Sequence, residues 1–121
     1  MPTTLPFARF IHLMKAIEQL PMPAERFNRH RMQYDYILGQ LCMAKAKGKD
    51  ITVADLTDCA ILGSQPTANK RLQELIACGL ITSKEGNDRR QRILILSEAG
   101  HQYMTACSSA MEKAMQHAHS A

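Results

Sequence analysis

Between Thr52 and Gly100 the chain divides itself into four short segments, and their order limits the fold more than any other feature. Thr52-Val53-Ala54-Asp55 sets a hydroxyl ahead of an acid three residues on, close to a capping box, and predicts a short helix over Val53 to Ile61. Leu62-Gly63 makes a turn. Ser64 is placed to cap the next helix, and Pro66 falls in its first turn, where a missing N–H does little harm. That helix runs to Cys78, with Gly79 suited to the left-handed position that ends a helix and Leu80 as the apolar residue that follows. Leu80 to Lys84 and Gln91 to Leu96 then flank the polar turn Glu85-Gly86-Asn87-Asp88, which predicts a β-hairpin. Two helices joined by a tight turn outline a helix-turn-helix. A hairpin directly after it gives the winged-helix order. The strand Ile93-Leu94-Ile95-Leu96 is apolar on both faces, so both are expected to be covered.

The rest of the chain reads as helix. Phe7, Phe10, Ile11, Met14, Ile17 and Leu20 follow helical spacing, and Pro21-Met22-Pro23 ends that segment. A second helix is expected from about Ala24 to Lys47, with Phe27, Tyr34, Ile37, Leu38, Leu41 and Met43 to Ala44 on its buried side. Ser97 caps a last helix, roughly Glu98 to His117, with Tyr103, Met104, Cys107, Met111 and Met115 at helical intervals. The expected fold class is therefore mainly α with a small β-hairpin wing. A winged helix-turn-helix at 50–97 is flanked by helical regions at 1–49 and 98–121.

The residues exclude several classes. At 121 residues with 45% apolar content, the chain can bury a core without metals or disulfides. Cys42, Cys59, Cys78 and Cys107 form no C-x-x-C pair, so no zinc site is expected, and the first three fit buried, reduced thiols. His117 and His119 read as tail residues rather than metal ligands. No cofactor is expected. No signal peptide or long apolar run stands out, which makes a cytoplasmic protein the default and a membrane partner unexpected. No phosphate loop, nucleophile elbow or zinc-protease signature is present, so an enzyme is not expected.

Charge is distributed unevenly. The net charge is +4. Residues 64–73 hold Lys70 and Arg71 with no acid, and 89–92 hold Arg89, Arg90 and Arg92 with no acid. On a helical wheel Ala68, Leu72, Leu75 and Ile76 share the core stripe. Pro66, Thr67, Asn69, Lys70, Gln73 and Glu74 lie opposite, and Arg71 sits at the flank near the stripe. A face of Thr, Asn, Lys and Gln can read base edges, since Lys donates to guanine acceptors and Asn or Gln pairs with adenine. It is equally an ordinary solvated helix face. Three arginines in four residues suit a phosphate backbone or a narrow minor groove, though a charged hairpin also keeps an edge strand soluble. Arg26, Arg29, His30 and Arg31 form a further basic cluster, suited to flanking phosphates or to solvent alike. The candidate DNA-contacting set is Ser64, Gln65, Pro66, Thr67, Asn69, Lys70, Arg71, Gln73, Arg89, Arg90 and Arg92.

Several strings between Ile51 and Tyr103 resemble the MarR family of winged-helix regulators. They are Leu62-Gly63-Ser64-Gln65-Pro66-Thr67, Leu72-Gln73-Glu74-Leu75, Cys78-Gly79-Leu80-Ile81 and, most specific, Asp88-Arg89-Arg90-Gln91-Arg92-Ile93-Leu94-Ile95-Leu96-Ser97-Glu98-Ala99-Gly100. The last is similar to the family's Asp-x-Arg wing followed by a strand and a Leu-Thr-x-x-Gly helix start, with Ser97 in the capping place of Thr. Arg71 stands where the family usually has an apolar residue. The resemblance implies a sequence-specific double-stranded DNA-binding transcriptional regulator. In it the helix 64–78 enters the major groove, Arg90 enters the minor groove, and Asp88 holds an arginine by a salt bridge. It also implies a homodimer formed by Phe7–Leu20 and the helix after Ser97, on a pseudo-palindromic operator. A small-molecule effector is a candidate partner, as some relatives sense ligands. The competing expectation is a winged-helix protein-interaction or RNA-binding module without specific duplex binding.

Overall fold

A computed structural model describes residues 4–20, 25–58, 60–86 and 91–120, with side chains at all of these except 25, 26, 60 and 117–120. Helix α1 spans Leu5–Glu18, α2 Arg31–Ala46, α3 Val53–Thr57, α4 Gln65–Ala77 and α5 Glu98–Ser120. Strands β1 (Ile51–Thr52), β2 (Ile81–Glu85) and β3 (Arg92–Leu96) form one antiparallel sheet in the order β1-β3-β2. The chain forms two compact units, one of Pro23–His101 and one of Met1–Met22 with Gln102–Ala121.

In the larger unit the local signals form as read. Thr52 Oγ1 accepts from the Asp55 N–H at 3.2 Å while the Asp55 carboxylate accepts from the Thr52 N–H at 2.9 Å, which completes the capping box of α3. Ser64 caps α4 by accepting from the Thr67 N–H at 3.3 Å, with Pro66 in the first turn. Gly79 has φ +83 and closes α4: its N–H reaches the Ile76 carbonyl at 3.0 Å, and the Leu80 N–H reaches the Leu75 carbonyl at 3.1 Å. That pair of bonds is a Schellman stop, which needs the left-handed conformation glycine adopts freely. Ser97 caps α5, accepting from the Gly100 N–H at 3.0 Å.

Several expectations change. The second helix does not begin at Ala24: a 3-10 turn over Glu25–His30 precedes α2, and His30 leaves the helical region at φ -127. In a continuous helix the seven steps from Phe27 to Tyr34 would span about 10 Å. Here the ring of Phe27 meets that of Tyr34 edge-on, centroids 4.4 Å apart, and both are fully buried. Helix α3 stops at Thr57 rather than Ile61, and a 3-10 turn at Ala60–Leu62 delivers Leu62 into the core. The hairpin is joined by β1, so the sheet has three strands, with Ile51 opposite Leu94 and Thr52 opposite Ile93.

The core of this unit gathers Phe27, Tyr34, Ile37, Leu38, Leu41, Leu56, Leu62, Ala68, Leu72, Leu75, Leu80, Ile81, Leu94 and Leu96. Met43 is exposed, against expectation. Against the expectation that both faces of β3 would be covered, only one is sealed: Leu94 and Leu96 are buried, Ile93 is half-buried and Ile95 is exposed, as alternation along a strand requires when one side meets the core. Gly100 is buried at a point where nothing larger fits. A Cβ there would collide with the Leu80 carbonyl oxygen and the Leu96 side chain.

In the smaller unit α1 has no buried residue. Phe7 is 69% and Phe10 52% exposed, their rings stacked at 6.3 Å, and Leu5 and Ile11 are exposed too. Further along α5, Tyr103 and Ala114 are buried, Met104 and Cys107 half-buried, and Met111 and Met115 exposed. No helix among the described residues is long and apolar enough to cross a membrane. Among the described residues no three His, Cys, Asp or Glu side chains gather as a metal site.

Candidate nucleic-acid interface

Helix α4 separates its two faces cleanly. Ala68, Leu72 and Leu75 are buried with Ile76 half-covered, while Asn69, Lys70 and Gln73 are exposed on the other side. The exposed side carries amide and ammonium groups whose hydrogen-bonding capacity is open to a partner. At the N-terminal end, Gln65 and Pro66 are exposed and Thr67 is half-buried. Two of these side chains already have partners. Ser64 Oγ donates to Thr67 Oγ1 at 3.0 Å, and Gln65 Nε2 donates to Asp58 Oδ1 at 2.9 Å, tying α4 to the end of α3.

The hairpin stands beside this face. β2 and β3 pair from Ile81↔Leu96 to Glu85↔Arg92, and the Gly86 N–H closes onto the Gln91 carbonyl at 2.9 Å. Arg92 is exposed at the outer end of β3. An open groove of about 800 Å³ lies between α3, α4 and the hairpin, and Thr52, Asp55, Gln73, Ser83 and Arg92 line it. The fold thus brings Gln73 and Arg92, distant in sequence, to one concave surface. Asp88, Arg89 and Arg90 lie outside the described residues, as does Cys59.

Arg71 is placed differently from the other expected contact residues. It is 8% exposed. Its Nε donates to Gln33 Oε1 at 2.8 Å and its Nη1 to Glu74 Oε1 at 2.7 Å. The other Glu74 oxygen accepts from the Tyr34 hydroxyl at 2.9 Å, and the guanidinium carbon lies 5.9 Å from the Tyr34 ring centroid. A guanidinium at the edge of an apolar stripe needs such partners, because burying an unpaired charge is costly. Burial, then the bond and charge of Glu74, push the Tyr34 hydroxyl up to about 12. Burial alone would raise the Glu74 carboxyl, but the hydrogen bonds from Arg71 and Tyr34 and the charges of Arg71 and Lys70 outweigh it and lower its pKa.

Glu74, Tyr34 and Gln33 are absent from the sequence-derived site. The usable signal was Arg71 beside the core stripe with an acid three residues on, which is a helix-neighbour pair. Nothing local marks Gln33 or Tyr34 as its partners. The cysteines described, Cys42, Cys78 and Cys107, are half-buried. Burial raises the Cys42 thiol, with Lys45 opposing, and Cys78 Sγ donates to the Leu75 carbonyl at 3.3 Å.

No family model matches the chain, and no curated protein sequence does. Solved structures do. A mutant of MepR from a multidrug-resistant S. aureus clinical isolate aligns with a TM-score of 0.63 and 20% identity, over 96% of this chain and 80% of that one. A second S. aureus MepR mutant aligns with a TM-score of 0.64 and 19% identity, over 99% of this chain and 83% of that one. The fold is a winged helix-turn-helix. At these identities the likeness is one of architecture: helices before and after the motif, and a hairpin following the second helix of the turn.

Proposed function

We propose that the chain is a MarR-family, sequence-specific regulator of transcription that binds double-stranded DNA as a homodimer and carries out no catalysis. The observation that carries this reading is the exposed Asn69, Lys70 and Gln73 face of α4, whose Gln73 shares a groove with Arg92 at the outer end of β3. A helix with that face can lie in a major groove with amides and an ammonium toward base edges. Arg92 stands where the adjoining backbone would pass. Arg89 and Arg90 continue the basic charge into the wing, with Arg90 the residue for the minor groove and Asp88 the acid that orients an arginine. Ser64, Gln65, Pro66 and Thr67 lie at the end of α4 that approaches DNA first. Arg71 belongs behind this face, not on it.

Dimerisation rests on the flanking helical regions, 1–49 and 98–121, around the DNA-binding region 50–97. A helix with stacked, exposed Phe7 and Phe10 and no buried residue leaves a large apolar face in water, and a second copy of the chain would cover it. Two recognition helices then meet a pseudo-palindrome at about one DNA turn, roughly 34 Å apart.

A salt titration of duplex binding tests the reading. Affinity should fall steeply with salt, with a slope of about −0.9 per neutralised phosphate. Arg90→Ala and Arg92→Ala should each weaken binding to every sequence, whereas Asn69→Ala and Gln73→Ala should change which base is preferred. If no duplex binds even at about 50 mM salt, the DNA reading fails and a protein or RNA partner takes its place.

A further inference from the structure

We infer that Arg71, Glu74, Tyr34 and Gln33 form a polar strut that sets the pose of α4 on α2, so that Arg71 and Glu74 act on DNA recognition as positioning residues without touching DNA. The inference rests on the DNA-binding reading of α4 for its consequence, but not for its geometry. Three hydrogen bonds of 2.7–2.9 Å run through the set: Gln33 to Arg71, Arg71 to Glu74, and Glu74 to Tyr34. Both carboxylate oxygens of Glu74 are engaged. Two of the bonds cross between α2 and α4, residues 38 and 40 apart in sequence. Tyr34 is fully buried and its ring packs against that of Phe27 at right angles, which fixes the α2 end of the strut.

The apolar contacts of α4 do not specify its pose so tightly. Ala68, Leu72 and Leu75 bury area, and burial is non-directional. A helix can slide or roll by a fraction of a turn and keep much of it. Hydrogen bonds to a charged group tolerate no such shift, and buried polar sets are best attested as devices that fix register. The strut residues alternate along α4 with the proposed reading residues: Asn69, Lys70 and Gln73 are exposed, while Arg71 is buried and Glu74, expected on the outer side, is half-buried and turned to Tyr34 of α2. A roll of α4 would therefore re-aim the reading groups directly, and a site misplaced by even about 1 Å loses most of its discrimination.

The test compares the full-length wild type with Tyr34→Phe, which removes one oxygen, Glu74→Gln, and the apolar triple variant Tyr34→Phe/Arg71→Met/Glu74→Leu. Each protein is first melted to establish that it folds. Should the triple variant not fold, Tyr34→Phe carries the comparison alone. Two readouts follow: amide exchange over residues 65–77 in the free protein, and affinity, as a function of salt, for duplexes the wild type enriches from a randomised duplex pool. The expected result is faster exchange in α4 and an affinity for the enriched duplexes lower by about tenfold in Tyr34→Phe and in the triple variant. The salt slope stays unchanged, because no phosphate contact is lost. Glu74→Gln keeps an oxygen for Arg71 and an amide N–H for the tyrosine oxygen, and retains most of the affinity. The inference is overturned if the triple variant loses about 0.9 of salt slope while Tyr34→Phe does not, since Arg71 would then be reaching a phosphate. It is also overturned if exchange and affinity are both unchanged. If the wild type enriches no duplex, the DNA reading falls by itself and the exchange measurement alone decides the strut.

Discussion

At the scale of the residue, a glycine and a tyrosine hydroxyl carry consequences out of proportion to their size. Gly100 has no room for a Cβ, because the Leu80 carbonyl and the Leu96 side chain occupy it. The Ser97 hydroxyl both caps α5 and donates to the Gly79 carbonyl, so the start of that helix is pinned against the end of α4. Gly100→Ala should therefore destabilise by about 1–3 kcal/mol, the range for overpacking a tight site, as measured by urea unfolding. The Tyr34 hydroxyl is the second position. Its pKa is raised from 10.0 to about 12, so the fold favours the protonated form. The stability this represents is fully present below pH 10 and is lost as pH rises through about 12. Unfolding free energies measured across that range should show the advantage of wild type over Tyr34→Phe shrinking above pH 10. A constant gap would contradict it. Glu74 acts with the opposite sign: its lowered pKa stabilises the fold above the ordinary carboxylate value of 4.5 and that contribution disappears as pH falls below it.

At the scale of the element, the short helices depend on their ends. Helix α3 has only five residues, too few to hold itself by propensity, and its capping box satisfies a donor on each side of the first turn. Thr52→Ala should cost about 1 kcal/mol, read as a lowered thermal midpoint. Amide exchange in that variant should rise first in α3. Helix α4 is better provided, with Ser64 at one end and the Gly79 stop at the other. Its amphipathic division explains how one element can serve both as core and as reading surface. The hairpin is anchored by β1 as well as by its own pairing, since Ile51 and Thr52 extend the sheet on the far side of β3. The base of the wing is therefore part of the sheet rather than an isolated two-stranded ribbon, which would be marginal in water.

At the scale of the whole molecule, the question is what covers α1. Phe7, Phe10 and Ile11 stand exposed on one helix, an apolar patch of the kind that marks an interaction surface. Light scattering should give twice the mass of 13.6 kDa. Phe7→Glu/Phe10→Glu should shift that mass to the monomer and weaken duplex binding more than it perturbs the melting of the winged helix. A monomeric wild type with undiminished duplex affinity would remove the dimer from the proposal.

Much of the fold is legible in the chain itself, because the signals that encode it act within a few residues. Thr52, Ser64, Gly79 and Ser97 each satisfy or end a neighbouring turn, and apolar periodicity marks the core stripe of α4. The outward Asn69, Lys70 and Gln73 followed from that same stripe. What the linear chain did not disclose depends on groups far apart in it. The pairing of β1 with β3 joins Ile51 to Leu94. The turn before α2 exists to bring Phe27 onto Tyr34, and nothing in Glu25–His30 announces it. Arg71 shows the limit most clearly. By charge and neighbours it reads as a DNA contact, and its flank position leaves the choice open. Its inward course depends on Gln33 and Tyr34 lying across α4, and on the free-energy cost of a buried cation being met by acceptors that only the folded chain brings together.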